Sequence, residues 1–322
     1  MTLVLGHSDV CEVATMEMAI KAMEHAYRVA GQGQAGAPRR YDIGLERGWL
    51  RLMVVEAQGL GIFGYKAMNL FPEVGVRYAV HLYDARSGAL EAIVDAKQIT
   101  ALRTAACSAV VADRLAMPQI SRSAVIGTGA EARTQLLAME AVRPTATVAV
   151  YSRSAGNRRR FIEEMGPLVA AELRECSSVS EAVSEAGLVV LATKSDAAVL
   201  SADQLDKGVH VSSVGAARLD QCELDPSVFA EADLVVCDAV DLVSREAGDA
   251  VQAIEVGAFN PEAAVAMAEL VVRDLRRPPG ASMTLFKSVG SALQDLALAM
   301  RVVEAARAKG LGTDIGGLLD VR

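Results

Sequence analysis

Residues 123–132 read Ser123-Ala124-Val125-Ile126-Gly127-Thr128-Gly129-Ala130-Glu131-Ala132. A short apolar run meets two glycines and passes into a helix-forming segment. Gly127 permits the tight turn, Gly129 permits close approach of the backbone to phosphates, and the helix N-terminus offers free N–H groups to an anion. After a strand, before a helix and inside a βαβ unit, this is the pattern of a dinucleotide pyrophosphate cradle. Gly127, Thr128, Gly129, Ala130, Glu131 and Ala132 are therefore candidate cofactor residues. The cradle lies in mid-chain, so a different domain is built first.

From Ser123 onward the period is that of strand–helix alternation. Strands are expected at 123–126, 147–151, 188–192, 209–214 and 234–238, with helices between them, which is the pattern of a doubly wound parallel sheet. Ahead of the cradle, residues 15–30 carry apolar side chains at helical spacing. A glycine-rich loop at 31–38 follows, then Arg39-Arg40-Tyr41 and strands at 49–55, 60–66, 77–83 and 89–95 separated by turn signals, which fit an antiparallel sheet. Residues 99–117 read as a helix closed by Pro118. A last helix runs through residue 308 and ends at Gly310-Leu311-Gly312, a C-cap signal. The expected fold is α/β: a Rossmann doubly wound parallel sheet at 119–287 and an α+β domain from 1–118 and 288–322, discontinuous because the last helix returns to it. Exposed sheet edges and an apolar sheet face in that domain need cover, so a homodimer is expected.

A chain of 322 residues with 52% hydrophobic and 22% charged residues has ample core for two domains. A net charge of -8 argues against general nucleic-acid binding. Cys11, Cys107, Cys176, Cys222 and Cys237 form no C-x-x-C pair, and the histidines have no ligand spacing, so neither a disulfide framework nor a metal site is indicated. Reduced thiols, no secretory leader pattern and no membrane-spanning apolar run give the expectation of a cytoplasmic protein.

The end of the second strand of a Rossmann sheet selects between nicotinamide cofactors, because an acid there binds the ribose 2′-hydroxyl and repels a 2′-phosphate. Here the chain reads Val150-Tyr151-Ser152-Arg153-Ser154, with Arg158, Arg159 and Arg160 beyond and no carboxylate among them. A hydroxyl and a guanidinium fork can hold a phosphate. NADP(H) is thus preferred, with NAD(H) possible, and Ser152, Arg153 and Ser154 join the cofactor set. A solvated helix face is the alternative for these arginines. Three further cations, Arg40, Lys66 and Arg103, sit beside apolar or small-residue segments and need an anionic partner. A substrate carboxylate would serve; for any one of them, an internal salt bridge is the plainer reading.

These residues resemble the ornithine cyclodeaminase/μ-crystallin family along nearly the whole chain. The likeness is carried by the Arg40 segment ending at Leu52-Met53, Gly64-Tyr65-Lys66, the turn from Tyr83 to Gly88, Leu102-Arg103-Thr104-Ala105-Ala106, the Gly127–Ala132 turn, Val214-Gly215-Ala216, Glu223-Leu224-Asp225, and Phe286-Lys287-Ser288-Val289-Gly290 with Gln294-Asp295. The resemblance implies that the two chain ends form a discontinuous α+β substrate and dimerisation domain around the Rossmann domain, and that Arg40, Lys66 and Arg103 bind a substrate carboxylate, with Lys66 and Arg103 as the catalytic pair. It brings Lys287 and Ser288 near the cofactor, and Thr104, Thr193, Val214 and Gly215 complete the cofactor set. From sequence, Ser288 reads as helix-start chemistry, and Asp295 as ordering the C-terminal helix. At the position of the cyclodeaminase acid stands Ala217, which cannot accept a proton, and the stretch resembles the μ-crystallin branch instead; Asp220 is the nearby carboxylate.

The expected activity is reduction by NAD(P)H of an imine or ketimine carboxylate, such as pyrroline- or piperideine-2-carboxylate, to an amino acid. An amino-acid dehydrogenase, a cyclodeaminase-type lyase and a non-catalytic NADP(H)-binding protein are the alternatives.

Overall fold

The computed structural model describes residues 1–316, 318 and 319. The chain divides into two compact units, one from residues 1–103 and 291–322, the other from 104–290. The first begins with β1 (Thr2–Leu5), α1 (His7–Val13) and α2 (Met16–Gly31). Thr15 caps α2, its side chain accepting from the Met18 N–H, and the helix buries Ala19, Ala22, Met23, Ala26 and Tyr27 along one stripe. Then come β2 (Arg39–Leu45), β3 (Gly48–Ala57), β4 (Ile62–Phe71), β5 (Gly75–Asp84) and β6 (Leu90–Asp95), followed by α3 (Lys97–Leu115). β2 to β6 form an antiparallel meander in chain order. The β5–β6 turn is set by Asp84, whose Oδ1 accepts from the N–H groups of Arg86 and Ser87, and by Gly88 at φ 73.

The second unit opens with β7 (Arg122–Ile126), α4 (Ala130–Val142), β8 (Thr147–Tyr151), α5 (Ala155–Met165), β9 (Glu172–Glu175), α6 (Val179–Val183) and β10 (Leu188–Leu191). It continues with β11 (Val209–Ser213), α7 (Pro226–Glu231), β12 (Leu234–Cys237), α8 (Val240–Glu246), α9 (Gly248–Glu255), β13 (Val265–Ala266), α10 (Met267–Val272) and β14 (Met283–Lys287). The eight strands form one parallel sheet in the order β13-β12-β14-β11-β10-β7-β8-β9. The order reverses beside β7, where a doubly wound sheet opens a crevice at its strand ends. Strand residues alternate between two cores. Ala124, Ile126, Val189 and Leu191 enter one, while Val125, Val148, Val150, Leu188 and Val190 enter the other. Burial on both faces explains why these strands read as continuous apolar runs.

The chain then returns to the first unit through α11 (Ala292–Lys309) and β15 (Thr313–Ile315). α11 lies against α1, α2 and one face of β3, β4 and β5. Gly310, at φ 67, ends it in the left-handed conformation. β15 pairs antiparallel with β1, and β1 pairs parallel with β6, so the first sheet has seven strands and is mixed rather than purely antiparallel. β1, β2, β9, β13, β14 and β15 are strands beyond those expected. Several are short, and the Gly44 and Gly48 breaks around β2 conceal its alternation. The first unit boundary falls inside α3, between Arg103 and Thr104, whereas the sequence placed it at the helix end marked by Pro118.

Candidate active site

In the first unit, pairing aligns Arg40 with Met53, Met53 with Lys66 and Lys66 with Val80. Directly opposed residues on neighbouring strands point to the same face. Arg40 and Lys66 therefore share a face two strands apart, with Cα atoms roughly 10 Å from one another at the usual strand spacing. This is the face that α11 covers.

Lys66 is 1% exposed, Arg103 6% and Asp295 0%. Lys66 Nζ donates to Asp295 Oδ1 at 2.9 Å and to Thr100 Oγ1 at 2.8 Å, and sits 5.0 Å from the centre of the Tyr78 ring. Arg103 Nε donates to the same Asp295 Oδ1 at 3.2 Å, and its Nη1 donates to Gln294 Oε1 at 2.7 Å. Gln294 Nε2 in turn donates to the Tyr27 hydroxyl at 2.6 Å. Gln294 and Asp295 lie in the first turn of α11, where negative charge is favoured by the helix dipole. The internal salt bridge weighed for Lys66 and Arg103 thus exists, and both share one carboxylate oxygen. Asp295 does more than order its helix: it is the buried anion that meets two of the candidate substrate-binding cations.

The second unit holds the glycine turn. Gly127 has φ +117, and a Cβ there would lie 2.4 Å from the Ala192 carbonyl oxygen, so both conformation and packing demand glycine. Gly129 is the N-cap of the thirteen-residue α4, and a Cβ built on it meets nothing within 4 Å. That open approach over a helix N-terminus fits a pyrophosphate. Ala132, fully buried, lets α4 pack closely, while Thr128, Ala130 and Glu131 line the same turn. Arg133, absent from the sequence reading, donates from Nη1 to the carbonyls of Thr128 at 2.6 Å and Gly129 at 3.1 Å, and pairs with Glu164.

At the end of β8, Ser152 Oγ accepts from Thr128 Oγ1 at 3.1 Å, and Ser154 caps α5. Arg153 is exposed. Arg158 is committed locally: its Nε donates to Glu175 Oε1 at 3.0 Å and its Nη1 to the Ser152 carbonyl at 2.6 Å. Arg159 lies 4.0 Å from the same Glu175. Glu175, in register with Val150 on the adjoining strand, is a carboxylate that the sequence reading did not weigh.

Beneath the strand ends lies a buried polar network. Glu223 Oε1 accepts from the Thr193 N–H at 2.6 Å and hydroxyl at 2.8 Å. Its Oε2 accepts from Ser213 Oγ at 2.8 Å, the Gly215 N–H at 2.8 Å and the Ala216 N–H at 3.3 Å. One carboxylate thereby ties the turn after β10 to the Val214-Gly215-Ala216 turn after β11. Gly215 fits because a Cβ there would stand 2.1 Å from the Thr193 carbonyl oxygen. Lys287 Nζ donates to Asp249 Oδ2 and Ser213 Oγ, both at 2.8 Å, and is wholly enclosed. The Lys287 side chain, expected near the cofactor, has internal partners and braces the network. Ser288, expected near the cofactor as well, also has an internal partner. Its hydroxyl donates to Asp238 Oδ2 at 2.7 Å, and Asp238 also accepts from the N–H groups of Val289 and Gly290. The N-cap of α11 is Ser291, not Ser288. Thr104 is buried on α3. Ala217 donates its N–H to Gln221 Oε1 at 3.2 Å, and Asp220 is exposed and held in two-point contact by Arg218 at 2.9 and 2.6 Å. Among the described residues, no group of three or more His, Cys, Asp or Glu is placed to hold a metal ion.

A glycine-turn Rossmann unit and a discontinuous unit with a buried Lys–Arg–Asp cluster, in one chain, define a class of two-unit dinucleotide-binding α/β protein. Residues 1–310 match the model of the ornithine cyclodeaminase/mu-crystallin family, and the chain belongs to that family. It is 30% identical to a Delta(1)-pyrroline-2-carboxylate reductase of Bacillus cereus over 82% of this chain and 83% of that one. The structure of Thermococcus litoralis Delta(1)-pyrroline-2-carboxylate reductase in complex with NADH and L-proline superposes with a TM-score of 0.92 at 30% identity, covering 98% of this chain and 100% of that one. An archaeal alanine dehydrogenase dimer with bound NAD superposes with a TM-score of 0.91 at 27% identity, covering 98% of this chain and 99% of that one.

Proposed function

We propose that this protein is an NAD(P)H-dependent reductase of imine or ketimine carboxylates, with Lys66, Arg103 and Arg40 binding the substrate carboxylate. The observation that carries the reading is the buried meeting of Lys66 and Arg103 at Asp295, on the sheet face that also bears Arg40. Likeness to pyrroline-2-carboxylate reductases supports it. Guanidinium and ammonium donors match a carboxylate, and holding it fixes the imine carbon. The open N-cap at Gly129 fits the pyrophosphate of the cofactor. Dihydronicotinamide, when bound, would supply hydride chemistry at that carbon, with the C=N electron pair going to nitrogen; a protonated imine is electrophilic enough to need no strong acid. Ala217 suits this chemistry, and Asp220, engaged by Arg218, is not poised as the missing base. A cyclic ketimine carboxylate is expected to consume NAD(P)H, while ornithine with NAD releases no ammonia above the blank. Ammonia release without ketimine reduction would reverse the assignment. The likeness to an archaeal alanine dehydrogenase keeps amino-acid oxidation, the same hydride chemistry run backwards, as the second reading.

We further propose a preference for NADPH. Ser152 and the exposed Arg153 are offered at the end of β8, whereas Arg158 is occupied by Glu175. Arg153→Ala is expected to weaken NADPH by about 1–3 kcal/mol, the range for a charge-assisted contact, and to leave NADH nearly unchanged. Titrations of both cofactors against both proteins check this; equal NADH and NADPH affinity in the wild type would contradict it.

A homodimer is the proposed assembly. On the sheet face opposite α11, Tyr41, Ile43 and Leu45 of the edge strand β2 are 52%, 49% and 46% exposed. Val54, opposite Arg39 on that face, is exposed too. A contiguous apolar patch on an edge strand calls for cover, and the likeness to a dimeric alanine dehydrogenase supports a second copy as that cover. Sedimentation at micromolar concentration is expected to give twice the 33.9 kDa of one chain, and Ile43→Glu to shift it toward the single chain. The free cysteines fit a reducing, cytoplasmic setting.

A further inference from the structure

We propose that Asp295 is a positioning residue that keeps Lys66 charged and holds both Lys66 and Arg103 in place, so that the substrate carboxylate stays bound into alkaline solution. The proposal rests on the reading of Lys66 and Arg103 as carboxylate binders. An acid that merely orders a helix N-terminus accepts backbone N–H bonds. Asp295 does not: its Oδ1 accepts from Lys66 and Arg103, and its Oδ2 has no hydrogen-bond partner among the described residues. The N-cap is Ser291, one turn earlier. Asp295 is thus fixed by two side chains from β4 and α3, and they by it.

The surroundings of Lys66 show why this matters. From α11 it meets Asp295, with Gln294 beside it. From α3 it meets Thr100, whose own proton goes to the Ala96 carbonyl at 2.6 Å, so that Thr100 Oγ1 accepts from Lys66. Arg103, also on α3, stands at the same carboxylate oxygen. From β5 it meets the Tyr78 ring; on its other side, Met53 separates it in the row from Arg40 on β2. Tyr27 of α2 is reached through Gln294. Burial and the neighbouring guanidinium both disfavour a charged ammonium at Lys66, and Asp295 is the anion in contact that opposes them. The ammonium form is the one that attracts a substrate carboxylate.

Without the carboxylate, Lys66 sheds its proton at lower pH, so substrate affinity fails earlier as pH rises. The experiment measures KM for Δ1-pyrroline-2-carboxylate with NADPH across pH 6–10 for the wild type, Asp295→Asn and Asp295→Glu, alongside NADPH affinity and thermal midpoint. In Asp295→Asn, the alkaline rise in KM is expected about 1–3 pH units below that of the wild type, the range for loss of an adjacent opposite charge, with NADPH affinity unchanged. Asp295→Glu keeps the charge and is expected to raise KM at every pH without moving the alkaline limb, so it carries the test should Asp295→Asn fail to fold. A uniform loss with the limb unmoved in Asp295→Asn, or a limb displaced to lower pH than that of the wild type in Asp295→Glu, would overturn the proposal. Should the wild type not turn this imine over, the same comparison is made on L-proline binding by calorimetry with NADP present. Wild-type binding there, with no displacement of the limb, refutes the role of Asp295. Binding of neither compound by the wild type refutes the carboxylate-site reading, and the proposal falls with it.

Discussion

Arg103→Ala is expected to cut imine-carboxylate turnover at least tenfold while NAD(P)H binding persists. Arg103 reaches Asp295 and Gln294 from within the first unit, and its guanidinium is almost fully buried. Losing one partner of a buried charge contact costs about 2–5 kcal/mol, which corresponds to about 30-fold or more in rate when it falls on the transition state. Lys66→Ala should do the same and lower the thermal midpoint as well, because Asp295 and Thr100 then lose a shared donor in a region closed to water. Steady-state rates, cofactor titration and thermal unfolding on the same preparations separate the effects. Near-normal turnover in the Arg103 variant would remove it from the site.

Glu223→Gln is expected to be the most damaging conservative change in the second unit. Five donors converge on the Glu223 carboxylate, three of them backbone N–H groups. A glutamine must turn its NH₂ toward one of the two sets, setting donor against donor. Each buried group left unsatisfied costs about 1–3 kcal/mol. A loss of several kcal/mol is the outcome when two or three are affected. Because the carboxylate ties the Thr193 turn to the Gly215 turn, NAD(P)H affinity should fall together with the thermal midpoint. Wild-type stability and affinity in this variant would show that the network is dispensable.

The second unit was readable because its signals are local. A strand, two glycines and a helix stand in ten consecutive residues, and the parallel strands bury both faces. The Lys66, Arg103 and Arg40 set was legible as types needing anions, and the resemblance gave it a purpose. What was not legible is long-range. Lys66 and Asp295 lie 229 residues apart in the chain, so their ion pair exists only once α11 lies on β4. The resemblance brings Lys287 and Ser288 near the cofactor, but nothing in the sequence says that Asp249 and Asp238 will be folded against them. Glu223 was visible as part of a shared motif, but its five donors come from two separate turns. β1 and β15 are too short to declare themselves, and only their pairing makes the first sheet mixed.

The central claim is net hydride reduction of a carbon–nitrogen double bond next to a carboxylate. Its most direct test is transfer of deuterium from NADPH deuterated at the reactive C4 position, incubated with the protein and Δ1-pyrroline-2-carboxylate, followed by mass and magnetic-resonance analysis of the amino acid formed. The expected result is proline with one deuterium at its α-carbon and NADP formed in equal amount. Proline without deuterium, or NADPH left intact while the imine is bound, would contradict the account.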